Sequence, residues 1–160
     1  MAIDVANFLV GDALVAAGVL VAAIVFVFTL GKHSVVAIFS ALGLAAAFSA
    51  LAPVVGRVPM VSAWPNYQQH ILVFGLVFVL TYFIFRRHIF FAPSVTPSSL
   101  EGIVFGSIIG GFILAVIGSF LPADIIATLT PTVKLIFVDD IGRSLWLASP
   151  LIGFVLMKGE

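Results

Sequence analysis

Cysteine is absent from this 160-residue chain, and charge is scarce: seven Lys or Arg and seven Asp or Glu, 9% of the residues. The first absence excludes disulfides, thiolate metal sites and cysteine nucleophiles, and leaves any metal chemistry to His33, His70 and His88. The second excludes an ordinary soluble domain, in which about a quarter of the residues are charged. Because the formal net charge is zero, the chain lacks the basic excess that binds nucleic acid or draws a protein strongly to anionic lipid. A lipidation signal, an N-x-[ST] sequon and the positive n-region of a secretory signal peptide are all missing, so insertion rests on the apolar segments themselves.

What fills the sequence instead is hydrocarbon. Hydrophobic residues make up 62% of it, and the mean hydropathy of +1.31 is that of an integral membrane protein. The pattern predicts an all-α membrane bundle, a single membrane domain over residues 1–160, with four transmembrane helices over about 13–30, 35–52, 70–85 and 102–121. The first ends at "GKHS", where Gly31 caps the helix and Lys32 and His33 favour its carbonyl end. Pro53 closes the second. Residues 53–69 carry Pro53, Pro59 and Pro65 with Trp64 and Tyr67, a poor helix and a good interfacial segment. The third ends at Arg86 and Arg87, and "APSVTPSS" is a loop whose last serines cap the fourth. Beyond Pro122, residues 144–157 are apolar for only 14 residues with Pro150 inside, which suits a short fifth segment, membrane-embedded or re-entrant. Lys32, Arg86 and Arg87 fall in the first and third loops and Arg57 alone in the second, so the positive-inside rule places the amino terminus outside.

The fourth span, "EGIVFGSIIGGFILAVIGSFLP", holds five glycines. In helical projection Phe105, Ile108, Ile109, Phe112, Ile113, Val116 and Phe120 share one arc, read as the lipid side. The other side carries two rows of small residues at four-residue spacing: Gly102, Gly106, Gly110 and Ser107, Gly111, Ala115, Ser119. Such rows let another backbone approach closely, either a helix of this chain or one of a second subunit. Helix two is the obvious partner, because Ala37, Ala41, Ala45 and Ser49 repeat at the same spacing, while helix one adds Ala13, Ala17, Gly18 and Ala22. Helices one, two and four are thus expected at the tight centre and helix three at the lipid edge.

Chemistry is sparse. Asp12 lies near the membrane boundary, as an interfacial cap or as a partner of Arg57. His33 and His88 are expected on one side and His70 on the other, so three ligands do not converge on a metal. Ser107 with His70 lacks a third orienting group for hydrolysis. "VDDIGR" concentrates charge, with Asp139 and Asp140 three and four residues before Arg143; it reads as a solvated helix end or as an interfacial docking patch. None of the four spans places an ionisable residue near its middle, which argues against ion-coupled transport.

The order of parts resembles the colicin V production protein family of bacterial inner-membrane proteins. An acidic residue (Asp4 or Asp12) leads the first helix, "GKHS" turns into a small-residue second helix, the third is bulky, and "GIVFGSIIGG" opens the fourth. The resemblance covers residues 1–121 and implies a role in secretion or envelope homeostasis, with no defined reaction and no catalytic residue. The expectation is a non-enzymatic scaffold or assembly subunit of a bacterial inner-membrane complex, without cofactor, metal or nucleic acid. Its partners are the bilayer and further copies or other membrane subunits; the alternative is an oligomeric pore or passive transporter.

Overall fold

The computed structural model describes residues 5–59, 61–89 and 97–157; the side chains of residues 5–10, 32, 33, 88, 89, 154, 156 and 157 lie outside that description, as do Asp4 and all of residues 90–96. Every regular element among the described residues is helical. They are α1 (Val5–Leu30), α2 (Lys32–Phe48), α3 (Ala52–Val55), α4 (Asn66–Ile89), α5 (Ser99–Phe120), α6 (Ala123–Thr128), α7 (Pro131–Val133) and α8 (Asp140–Met157). A 3-10 turn at Ser49–Leu51 joins α2 to α3, and a π-helical turn at Lys134–Val138 follows α7. Four stretches are long and apolar enough to cross a membrane: Gly11–Leu30, Ser34–Val55, Asn66–Arg87 and Ser99–Phe120. The chain is therefore an all-α, membrane-type helix bundle.

Local chemistry sets the ends. Gly31, at φ 80°, is the one residue between α1 and α2; only glycine takes that left-handed conformation without strain. Pro53 does not close the second span as expected. It sits in the first turn of α3, where its missing N–H would have had no helical partner, so the helical path runs on to Val55. Ser98 and Glu101 form a capping box at the start of α5: Ser98 Oγ accepts from Glu101 N (3.3 Å) and Glu101 Oε2 from Ser98 N (2.8 Å).

The contacts divide the chain into two compact units, Leu30–Thr96 and Met1–Thr29 with Pro97–Glu160. In the first, α2 packs along α4. Val35, Ile38, Phe39 and Leu42 of α2 are fully or almost fully buried, as are Val73 and Phe74 of α4. The turn and α3 that follow α2 also pack on α4, so the two long helices run antiparallel. Gln69 ties the proline-rich connection to the start of α4. It is buried, its Nε2 donates to the carbonyl of Trp64 (2.8 Å), and its amide fills the space where a side chain on Gly56 would lie.

In the second unit α5 is the middle helix. Phe28, Ile24 and Leu20 of α1 stand over Gly102, Gly106 and Gly110, while Trp146 of α8 and Phe137 of the π-helical turn stand over Gly111 and Gly118. Rising numbers on α5 meet falling numbers on α1, and the same holds for the tail, so both neighbours run antiparallel to α5.

Two expectations are corrected here. The bulky arc of α5 is not a lipid side: Phe105, Ile108, Ile109, Phe112 and Val116 are all buried, as are the five glycines on the other side. Nor is α1 enclosed on all sides. Of the most apolar 18 residues of each span, 17% are buried in α1 and 22% in α4, against 50% in Ser34–Val55 and 56% in α5. Large side chains are as comfortable against protein as against lipid tails, so a bulky face does not by itself mark the lipid side.

Candidate functional site

Five glycines inside α5 cost about 2.5 to 5 kcal/mol relative to alanine, and close packing must offset that. At Gly106 an added Cβ would collide with the backbone of Ile24, Cα and N alike; at Gly110 it would come within 2.9 Å of Leu20 Cδ2 and 3.1 Å of Leu20 Cα. The row Gly102, Gly106, Gly110 is thus the groove in which α1 lies, with backbone against backbone at its centre.

The second row has a different partner. Gly111 leaves room for the indole of Trp146, which stacks on Phe137 at a centroid distance of 5.8 Å and 26°. Ala115 is buried and Ser107 half-buried in the same row, while Ser119 is exposed and turns its Oγ back to the carbonyl of Val116 (2.6 Å). Both rows meet helices of their own chain, and at Gly106, Gly110 and Gly111 the nearest atoms belong to α1 and α8, not to helix two as expected. On α2, Ala37, Ala41, Ala45 and Ser49 are buried too; Ser49 Oγ donates to its own helix at Ala46 (2.6 Å).

The longer free small-residue surface lies on α1; Gly43 and Ala47 on α2 are exposed as well. The packed stripe of α1 is Ala16, Leu20, Ala23 and Val27; opposite, Gly18 and Ala22 are exposed among Leu14, Val15, Val21 and Val25, while Ala13 and Ala17 are exposed along the flank of the packed stripe. At 100° per residue, Gly11, Gly18 and Ala22 fall within about 40° at the centre of the open face. A Cβ added at Gly11 or Gly18 would meet nothing within 4 Å.

Asp12 has a structural partner, and it is not Arg57. Its Oδ2 accepts the backbone N–H of Thr130 (2.6 Å), 118 residues away, and its Oδ1 that of Ala13 (2.9 Å). Thr130 caps α7, so this carboxylate pins the α6–α7 connection to α1 over an apolar cavity of about 150 Å³ lined by Ala16, Leu114, Ile117, Leu129 and Phe137 among others.

The "VDDIGR" cluster forms the corner between the π-helical turn and α8. Asp140 pairs with Arg143 (Oδ1–Nη2 2.6 Å), a pair too exposed to contribute more than about 1 kcal/mol. Asp139 ends the turn, its N–H donating to the Lys134 carbonyl (2.8 Å). Gly142 is required here, because a Cβ would strike the Leu135 and Ile136 carbonyls. Lys134 turns away from the cluster, its Nζ donating to the Ala127 carbonyl (2.8 Å). Asp139 and Asp140 border an open apolar groove of about 680 Å³ lined by Leu135, Ile136, Ile141, Leu145, Trp146 and Ile152.

Among the described residues no three His, Cys, Asp or Glu side chains gather as metal ligands; the side chains of His33 and His88 lie outside the description. His70 Nδ1 donates to the Asn66 carbonyl (2.9 Å) on its own helix, and it sits in a different unit from Ser107. Three residues that organise the structure carried no signal in the sequence: Gln69, Thr130 and Trp146. The row through Gly111 marked a close contact there, but as the approach of a backbone and not as the seat of an aromatic ring. No family model, no curated protein and no solved structure matches this chain.

Proposed function

We propose that the protein is a non-enzymatic multi-pass membrane subunit that scaffolds a membrane complex through the open face of α1. The observation that carries this reading is the line Gly11, Gly18, Ala22 on a helix whose opposite stripe is already packed. Small side chains give lipid little to contact, whereas a second helix gains van der Waals area by approaching them closely. The rows on α5 and the row Ala37, Ala41, Ala45, Ser49 on α2 are occupied within the chain, so the assembly surface moves from helix four, where the sequence pattern suggests it, to helix one, whose open row is longer than the exposed pair Gly43 and Ala47 on α2. The partner is a second copy or another membrane subunit. The corner at Asp139, Asp140 and Arg143, beside its apolar groove, is a secondary docking patch, and α8 is a fifth membrane-embedded segment. A bacterial inner-membrane location with the amino terminus outside, and a role in secretion or envelope homeostasis, follow from the charge pattern of the loops and from the resemblance over residues 1–121.

Mass measurement of the chain solubilised in mild detergent tests the reading. The wild type should run as an oligomer or carry co-purifying subunits, and Gly18→Leu should reduce that assembly at least several-fold while leaving the α-helical content unchanged. A lone monomer that conducts ions or solutes in liposomes would sink the scaffold and put the passive pore in its place.

A further inference from the structure

The formal net charge of zero conceals a segregation of the acidic residues. Leu30–Thr96 contains Lys32, Arg57, Arg86 and Arg87 and no Asp or Glu, a charge of +4. The other unit carries all seven acids (Asp4, Asp12, Glu101, Asp124, Asp139, Asp140 and Glu160) against Lys134, Arg143 and Lys158, which gives 3 − 7 = −4. Within the cationic unit the charge is also polarised along the helices. Because α2 and α4 are antiparallel, α2 begins with Lys32 and His33 at the end where α4 finishes with Arg86, Arg87 and His88. Counting from the contact of Gly56 with Gln69, the backbone at Lys32 lies about two turns, roughly 10 Å, beyond the level of Arg86, so Arg86 and Arg87 form a cationic pair of their own at the end of α4.

Below them α4 is apolar and open. Leu76, Leu80, Phe83 and Ile84 are each more than half exposed, and they form a stripe at helical spacing that leads straight to Arg87. Cations above an exposed hydrocarbon stripe match a molecule with an anionic head and a long apolar tail; a soluble phosphate would use only the upper part.

We propose that the carboxyl end of α4 binds anionic phospholipid, its phosphate at Arg86 and Arg87 and its acyl chains along Leu80 and Phe83. The inference rests on the membrane assignment and is independent of whether α1 scaffolds a complex. The lipid-surface attraction that a neutral whole chain argues against is here a property of one unit.

Native mass spectrometry of the full-length protein in an equimolar mixture of dioleoyl-phosphatidylglycerol and dioleoyl-phosphatidylcholine reads lipid retention and oligomer mass separately, so failure here and failure of the scaffold are told apart. The wild type and Arg57→Gln should retain the glycerol lipid about tenfold over the choline lipid. The Arg86→Gln/Arg87→Gln variant should lose most of that preference, and the Arg86→Lys/Arg87→Lys variant should keep most of it. Raising salt from about 50 mM to about 500 mM should weaken the wild-type preference, a readout that needs no variant to fold. Equal retention of the two lipids by the wild type, an unchanged preference in the glutamine variant, or insensitivity to salt would overturn the proposal. Displacement of the lipid by inorganic phosphate at constant ionic strength would also overturn it, in favour of a soluble anion.

Discussion

Gly106 is the residue with least room to change, because what a Cβ would meet there is the backbone of α1. Neither helix can yield without parting from the other along several turns. Gly111 differs: its neighbour is the ring of Trp146, a side chain and not backbone. Gly18 and Gly43 have open space around them, so alanine there adds helix propensity at no steric cost. The expected order follows. Gly106→Ala should destabilise the fold by about 1 to 3 kcal/mol, Gly111→Ala should cost less, and Gly18→Ala and Gly43→Ala should be neutral or stabilising by up to about 1 kcal/mol. Unfolding of each variant in mixed micelles gives the ranking. A Gly106→Ala protein as stable as the wild type would mean that α1 and α5 are not in backbone contact.

Hydropathy and length make the four spans legible, and loop chemistry makes several of their ends legible; Ser98 with Glu101 is one. The pairing of helices is not legible. Rows of small residues occur on α1, α2 and α5 at the same spacing, and the spacing encodes close approach without naming the partner. Size periodicity failed on α5 for a related reason: its Phe105–Phe112 face and its glycine face are both buried, one by bulk and one by proximity. The tail was illegible because its helix depends on tertiary contacts, Trp146 against Gly111 and Gly142 against two carbonyls. Those contacts also set its depth. Trp146 stands level with Gly111 and α8 runs antiparallel to α5, so Met157, eleven residues on, reaches about the level of Leu100 at the other end of α5. A crossing, as opposed to a re-entrant loop, is the expectation to test for α8. A reporter fused after Glu160 and a single cysteine replacing Asp124, in a chain free of native thiols, should then report opposite sides of the membrane. Signals from one side would return α8 to a re-entrant segment.

Across the whole molecule, chain order and spatial grouping disagree. The unit built around α5 takes its first helix from the amino terminus and the rest from beyond residue 96, with the cationic α2–α4 unit inserted between. Composition averages over this arrangement, which is why a sum of +4 and −4 reads as neutrality. The same arrangement leaves α1 bound to α5 by contacts that need no chain connection through residues 90–96: the groove at Gly102, Gly106 and Gly110, and the hydrogen bond from Thr130 N–H to Asp12. Breaking the chain there removes loop closure but none of those contacts, and the bilayer holds both pieces in one plane. Co-expressed fragments 1–96 and 97–160 should therefore assemble, and a tag on the first should recover the second in near-stoichiometric amount. Gly106→Ile in the second fragment should cut that recovery by more than half, because it forces α5 away from Ile24, whereas Ser119→Ile on an exposed position should leave it unchanged. Recovery that is absent in the wild-type pair, or indifferent to Gly106→Ile, would show that α1 and α5 are held by the intervening chain and not by each other.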